Sequence, residues 1–290
     1  MSVTEVQPEA AHDKLAQLNT LLRSQRSTVV AFSGGADSAL LAFCAHQELG
    51  QRALAVTADS ASLARSELAE AVDFARRFGL RHQVVTTWEL EDDRYIRNAG
   101  DRCYFCKSAL MDALESIVAV AGEGQILLGI NVDDLGDYRP GQAAVQERRG
   151  RCPMVEVGLS KAEIRWLSRE LGLPTWDKPA AACLSSRIAY GVPVTPEALR
   201  RIEAAERVLA ASGLSGSTRV RDQGGGLARI EVEPRQFELV MGRRARIVEG
   251  LRQAGFTFVT LDLEGYRMGS HNRALGRMLP VVDVRAEGTR

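Results

Sequence analysis

A doubly wound α/β fold with a parallel sheet, followed by a smaller C-terminal α+β unit, is the architecture this sequence predicts, on three observations. Short apolar runs recur at STVVAF, RALAVTA, HQVVTT and QILLGI. Helical patterns separate the first three runs, at a spacing under about 30 residues, which is the rhythm of parallel strands joined by crossover helices. After residue 195 the order becomes helix, two strands, helix, strand, as in a small, partly antiparallel sheet. At 290 residues the chain exceeds the usual single domain of roughly 100 to 150, so two domains are expected, 1–180 and 181–290.

The chain opens with an amphipathic helix around residues 11–24, and the first strand, STVVAF, runs directly into Ser33-Gly34-Gly35-Ala36-Asp37-Ser38 and on into a helix. Glycines there permit a tight turn, and backbone N–H groups at the helix start converge on an anion, so the stretch reads as a phosphate cradle. It is neither a Walker A loop, which needs Lys-Ser/Thr after its glycines, nor a G-x-G-x-x-G turn. A serine and glycine turn that only caps a helix is the plain alternative, and the strand-loop-helix context weighs against it. The second strand ends in VTADS, which places Thr57 and Asp59 at the carboxyl end of a parallel strand, where ligands bind. Asp59 as a simple helix cap is the alternative. A helix follows with Glu67, Glu70 and Asp73 on its polar side.

The strand QILLGI leads to GINVDDLGDYRPG, with Asp133, Asp134, Asp137 and Arg139. A solvated turn would account for Asp and Gly together, but such a cluster at a strand end suits a Mg²⁺-phosphate site better. SKAEIRWLSRELGLP begins with a capping box and adds a helix, and DKPAAACLSSRIAYGVPVTP reads as a linker or ordered loop. The smaller unit then offers a helix at 196–212, strands at STRVRDQ and LARIEVEP joined by Gly224 to Gly226, a helix at 235–254 and the strand FTFVTLDL.

Lys and Arg together number 37 and so do Asp and Glu, so no global field attracts nucleic acid or a membrane. No apolar run approaches the roughly 18 to 20 residues that span a bilayer, and the polar, acidic N-terminus carries no secretion pattern, so a cytoplasmic location is expected. Five cysteines (Cys44, Cys103, Cys106, Cys152 and Cys183) then argue for thiols, metal ligation or catalysis over disulfides. Cys44 lies inside a helical pattern as a small buried apolar residue, and Cys152 is read as structural. Cys183 has Lys178 and Arg187 near it in sequence, two cations able to lower its pKa. Cys103 and Cys106 form a C-x-x-C with no second pair, half of a zinc ribbon, and Tyr104 and Phe105 between them are unlike a thioredoxin motif. The four histidines share no ligand spacing. Arg187, Arg219, Arg221 and Arg267, with Ser186, are candidates for gripping substrate phosphate or carboxylates, because guanidinium groups bind both bidentately; structural salt bridges are the alternative.

SGGADS resembles the loop of the PP-loop ATP pyrophosphatases, which cleave ATP between the α and β phosphates. The resemblance implies an adenine nucleotide α-hydrolase-like fold, with Ser33, Gly35 and Ser38 on pyrophosphate and Asp37 holding the loop or a Mg²⁺. With VTADS, DRCYFCK, GINVDDLGDYRPG, ACLSSR and VTLDLEGYRMGSHN in the same order, nearly the whole chain resembles the LarE family of ATP-dependent sulfur transferases. That resemblance implies a soluble homo-oligomer, possibly hexameric in the family's manner, acting on pyridinium-3,5-biscarboxylic acid mononucleotide in nickel-pincer cofactor synthesis. ATP would activate a carboxylate as a mixed anhydride with AMP, and sulfur would replace the oxygen. It further implies one of two sulfur sources: Cys183 sacrificed to dehydroalanine, or a 4Fe-4S cluster held by Cys103, Cys106 and Cys183. The cluster is the expectation, since it alone uses the C-x-x-C; the donor that refills it is left open. A PP-loop tRNA thiolase would need an RNA face that the neutral chain does not display, and an ATP-binding iron-sulfur sensor would bind nucleotide without releasing pyrophosphate.

Overall fold

The computed structural model describes residues 6–122, 124–136, 145, 147, 148, 150–179 and 182–267. The chain divides into two compact units, one of Met1–Ile96 with Asp101–Cys183 and one of Arg97–Gly100 with Leu184–Arg290. The division thus falls after Cys183, and a four-residue segment ahead of the C-x-x-C belongs to the second unit.

In the first unit the elements run α1 (Pro8–Arg23), β1 (Thr28–Ala31), α2 (Ala36–Leu49), β2 (Ala53–Asp59), α3 (Arg65–Arg77), β3 (His82–Thr86), α4 (Asp93–Ile96), α5 (Arg102–Ala121), β4 (Gln125–Leu128), α6 (Pro153–Glu156) and α7 (Lys161–Glu170). The sheet order is β3-β2-β1-β4, all parallel, with Val30 paired to Ala55 on one side and Leu127 on the other. Chain order therefore reverses at β1, and its carboxyl end is the switch point where α/β sheets place their ligand crevice.

The period of two along β1 sorts its side chains between two apolar layers. Val30 and Phe32 face a core built with Leu18, Leu22, Leu40, Leu41, Phe74, Ile164 and Leu167 from α1, α2, α3 and α7. Val29 faces the other way, toward Met111 and Leu114 of α5 with Leu54, Val56, Ile126 and Leu128. A strand buried on both faces has to be apolar throughout, which is why STVVAF and QILLGI show no polar alternation. Cys44 lies in the first of these cores.

The second unit contains α8 (Pro196–Ala211), β5 (Arg219–Asp222), β6 (Leu227–Glu231), α9 (Phe237–Gly242), α10 (Arg244–Gln253) and β7 (Phe258–Leu261). β5 and β6 are antiparallel and β6 and β7 parallel, giving the mixed sheet that the sequence order implies. The single helix read at 235–254 is instead two, broken at Arg243. Asn98, 0% exposed and at φ 55°, fixes the inserted segment in this unit: its amide donates to the carbonyl oxygens of Ala189 and Val192 at 2.9 Å and of Ile188 at 3.4 Å. Asn is among the few residues that tolerate this left-handed backbone. Asn98→Ala removes one donor from three carbonyls, of which Ala189 keeps a bond from the Val192 N–H, and keeps the backbone strain, so it should destabilise the folded chain by about 1–3 kcal/mol, read from the urea midpoint at constant m-value.

Candidate active site

β1 delivers the chain into Ser33–Ser38, and α2 begins at Ala36 with Gly35 as its N-cap. Glycine has no side chain to cap the first turn, whose amides have no intrahelical partner, so they remain available to an anion. The serines hold the loop in shape. Ser38 Oγ accepts from the backbone N–H of Ser33 at 3.1 Å, lies 3.0 Å from Ser33 Oγ, and donates to the Gly35 carbonyl at 3.2 Å. The two hydroxyls expected on pyrophosphate thus bond to one another here.

Gly34 lies at φ +73°, and a Cβ on it would stand 3.0 Å from the Ala71 side chain on α3. Gly129, which follows β4 and which sequence reasoning passed over, approaches the loop more closely still: its Cβ would sit 2.8 Å from Ser38 N and 2.9 Å from Ser38 Cα. Since backbone cannot yield as a side-chain tip does, Gly129→Ala should displace the loop, lowering stability by about 1–3 kcal/mol and abolishing ATP-dependent pyrophosphate release. A thermal melt paired with a pyrophosphate assay reads both effects.

Asp37 is held at both oxygens, by the Lys161 ammonium at 2.6 Å and by the Asn131 amide at 3.3 Å. Sequence reading singled out neither partner, although Lys161 directly follows the Ser160 cap and Asn131 lies in GINVDD. The acidic cluster is more structural than expected. Asp133 accepts from the backbone N–H of Lys161 at 2.6 Å and donates its own N–H to Asn131 Oδ1 at 2.9 Å, while Asp134 accepts from the N–H of Asn131 at 3.1 Å. These bonds build a turn against the start of α7. Asp137 and Arg139 lie outside the described residues.

At the end of β2, Thr57 is 1% exposed and joins strands, donating to the Phe32 carbonyl at 2.8 Å and lying 2.8 Å from His82 Nε2. Burial holds the His82 pKa below its ordinary value. Asp59 pairs with Arg65 at 2.5 Å. Ser60, next in sequence, donates to Glu89, which is 2% exposed, and the Ser62 hydroxyl lies 2.7 Å from Tyr95 OH. Sequence reading had no signal for Glu89, one of four carboxylates in the run from Glu89 to Asp93.

The cations expected to act on Cys183 are engaged elsewhere, which corrects that expectation. Lys178 binds Glu67 at 2.7 Å, Glu70 at 2.8 Å and the Gly34 carbonyl at 3.2 Å, tying the loop to α3. Burial alone would lower its pKa, but the two carboxylates outweigh that and raise it. Arg187, 5% exposed, makes a two-pronged pair with Glu206 at 3.0 and 3.2 Å.

Cys103 and Cys106 stand one turn apart in the first turns of α5, and Cys183 acts electrostatically on both. Burial pushes the Cys106 thiol up to about 12, with Cys183 and then Glu89 adding to it, and Lys107 opposing. Burial and then Cys183 raise Cys103 as well, against Arg102 and Lys107. Among the described residues no three Cys, His, Asp or Glu side chains converge closely enough for a single metal ion. A cluster asks for something different, three thiolates each on its own iron around a wider space, and Cys183 lies near enough to Cys103 and Cys106 to raise both thiols. Cys44 is likewise pushed up to about 12 by burial. In metal-free protein at pH 8, exposed Cys183 should therefore take iodoacetamide first while Cys44 and Cys106 resist until denaturation. Because the folded chain keeps two protons that an unfolded chain releases near pH 9.0, its melting temperature should fall as pH rises from there toward 12.

In the second unit, Arg221 donates to Glu231 at 3.0 and 2.7 Å and to the Ser186 carbonyl at 3.0 Å, and the Ser186 hydroxyl accepts from Arg187 at 3.2 Å. Arg219 differs: it donates to the Thr218 carbonyl at 2.7 Å and lies over the Tyr266 ring at 5.4 Å, and among the described residues no carboxylate is within salt-bridge reach of it. Burial, then the charge of Arg187, holds its pKa below the ordinary arginine value. Arg267 pairs with Glu264 in an exposed turn.

An asparagine synthase family model matches residues 16–102, which span the loop, β2 and the start of α5. An uncharacterized protein of Synechocystis is 44% identical over 264 residues, 90% of this chain and 98% of that protein. The pyridinium-3,5-bisthiocarboxylic acid mononucleotide synthase of Lactiplantibacillus plantarum is 35% identical over 263 residues, 90% of this chain and 95% of the synthase. An uncharacterized protein of Methanocaldococcus jannaschii is 27% identical over 257 residues, covering 88% of this chain and 97% of that protein.

Proposed function

The chain belongs to the LarE family of the Lactiplantibacillus plantarum synthase, and from that premise we propose that it is an ATP-dependent sulfurtransferase acting on pyridinium-3,5-biscarboxylic acid mononucleotide. The observation that carries the reading is the uncapped loop at the switch point of a sheet whose own unit also contains Cys103, Cys106 and Cys183, the last acting on the other two. In the first step a substrate carboxylate oxygen bonds to the α-phosphorus of ATP and the bond to the pyrophosphate oxygen breaks. In the second, sulfur bonds to the activated carbonyl carbon and AMP leaves with the electron pair of the broken C–O bond.

The loop amides bind the leaving pyrophosphate, with Gly34 and Gly129 allowing the close approach. Asp37 would share a Mg²⁺ with the phosphates, since such sites take one or two carboxylates and complete their shell with phosphate and water. Arg219, which has no carboxylate within salt-bridge reach among the described residues, takes a substrate phosphate or carboxylate. Cys103, Cys106 and Cys183 would hold the 4Fe-4S cluster, which supplies an external sulfur and spares the protein's own. The enzyme works as a cytoplasmic homo-oligomer. Sacrifice of Cys183 is the second reading, favoured by its exposure.

Anaerobic reconstitution separates the two sources. The cluster reading expects about four irons per chain, repeated turnover with added sulfide, and loss of product in each of Cys103→Ala, Cys106→Ala and Cys183→Ala. Dehydroalanine at position 183 after one turnover, with Cys103 and Cys106 dispensable, would establish the sacrificial route instead.

A further inference from the structure

Lys161 occupies the first position of α7, where a cation is disfavoured by the helix dipole. The helix has no need of its ammonium. The capping box closes the start of α7, with Ser160 Oγ accepting from Glu163 N at 3.3 Å and Glu163 Oε2 accepting from Ser160 N at 2.8 Å. Lys14 anchors Glu163 from α1 at 2.7 Å, and the Lys161 backbone N–H is satisfied by Asp133. What Lys161 Nζ does instead is reach the nucleotide loop and pair with Asp37, the second residue of α2.

That pair is easily given up. Its side chains are 33% and 21% exposed, and partly solvated ion pairs contribute only about 0–1 kcal/mol. A polyphosphate seated on the adjacent amides offers the same ammonium several charged oxygens at once, where Asp37 offers one. Asp37 keeps its bond from Asn131 when the lysine leaves.

We propose that Lys161 exchanges partners, pairing with Asp37 while the loop is empty and with the pyrophosphate oxygens when ATP is bound. It then distinguishes ATP from AMP, and it stays on the pyrophosphate as charge accumulates there during adenylation. Release of pyrophosphate returns Lys161 to Asp37. The proposal rests on the nucleotide reading of the loop given above.

Calorimetric titration of the full-length chain with the non-cleavable analogue α,β-methylene-ATP and with AMP tests both, using wild type, Lys161→Met and Lys161→Arg. Lys161→Met should weaken the ATP analogue about tenfold or more, the scale of one hydrogen bond to a charged group, and leave AMP within about twofold. Lys161→Arg should recover most of the loss. Equal weakening of both ligands, or none, overturns the exchange and leaves Lys161 a structural residue. A wild type that binds neither ligand, or binds the analogue no better than AMP, defeats the nucleotide reading itself.

Discussion

The chain leaves a strand buried on both faces and enters a helix whose N-cap has no side chain, and the chemistry of the first unit follows from that junction. Backbone amides without partners are expensive to bury, so the first turn of α2 must stay open to an anion. Its surroundings then obey two demands, that nothing fills the space over the amides and that the loop does not collapse into it. Gly129 meets the first by lacking a Cβ beside Ser38. The Ser33 and Ser38 hydroxyls and the bond from Lys178 to Gly34 meet the second.

The cysteines are governed by the opposite balance. A rise of the Cys106 thiol from 9.0 to about 12 amounts to on the order of 4 kcal/mol against its thiolate. Such a sulfur is a poor nucleophile near neutral pH, and Glu89 makes it poorer. A bound cation reverses the sign, because metal ligation deprotonates thiols and its free energy exceeds a penalty of this size. Cys106 therefore suits ligation better than attack. The C-x-x-C lies in the first turns of α5 rather than at the end of a strand.

Much of the first unit was legible because its strands are apolar on both faces and its loop motif carries its own context. STVVAF, SGGADS and the capping box at Ser160 each correspond to an observed element, as does the mixed order of the second sheet. What stayed hidden was partnership across long sequence separations. Lys161 meets Asp37 across 124 positions and Lys178 meets Gly34 across 144, and neither lysine departs from an ordinary surface pattern in its own segment. The same blindness made Lys178 and Arg187 look available to Cys183, when Glu67, Glu70 and Glu206 already held them. Asp133 and Asp134 are a different case: both accept backbone N–H bonds in a turn, and since Asp serves turns as readily as metals, composition alone does not separate the two uses.

Among the candidate arginines, the arrangement of charge picks out one. Arg187 and Arg221 are each neutralised by a carboxylate, and removing one partner of such a buried pair would leave the other uncompensated, so their first duty is to the second unit itself. Arg219 lies beside them with a carbonyl and an aromatic ring as its contacts; the charge of Arg187 opposes its own, and the nearby Glu206 offsets that only in part. An anion arriving there relieves that repulsion, whereas at Arg187 or Arg221 it would have to displace Glu206 or Glu231. Two of the three arginines are thus taken up by carboxylates of their own unit, and Arg219 is left with charge to offer an anion.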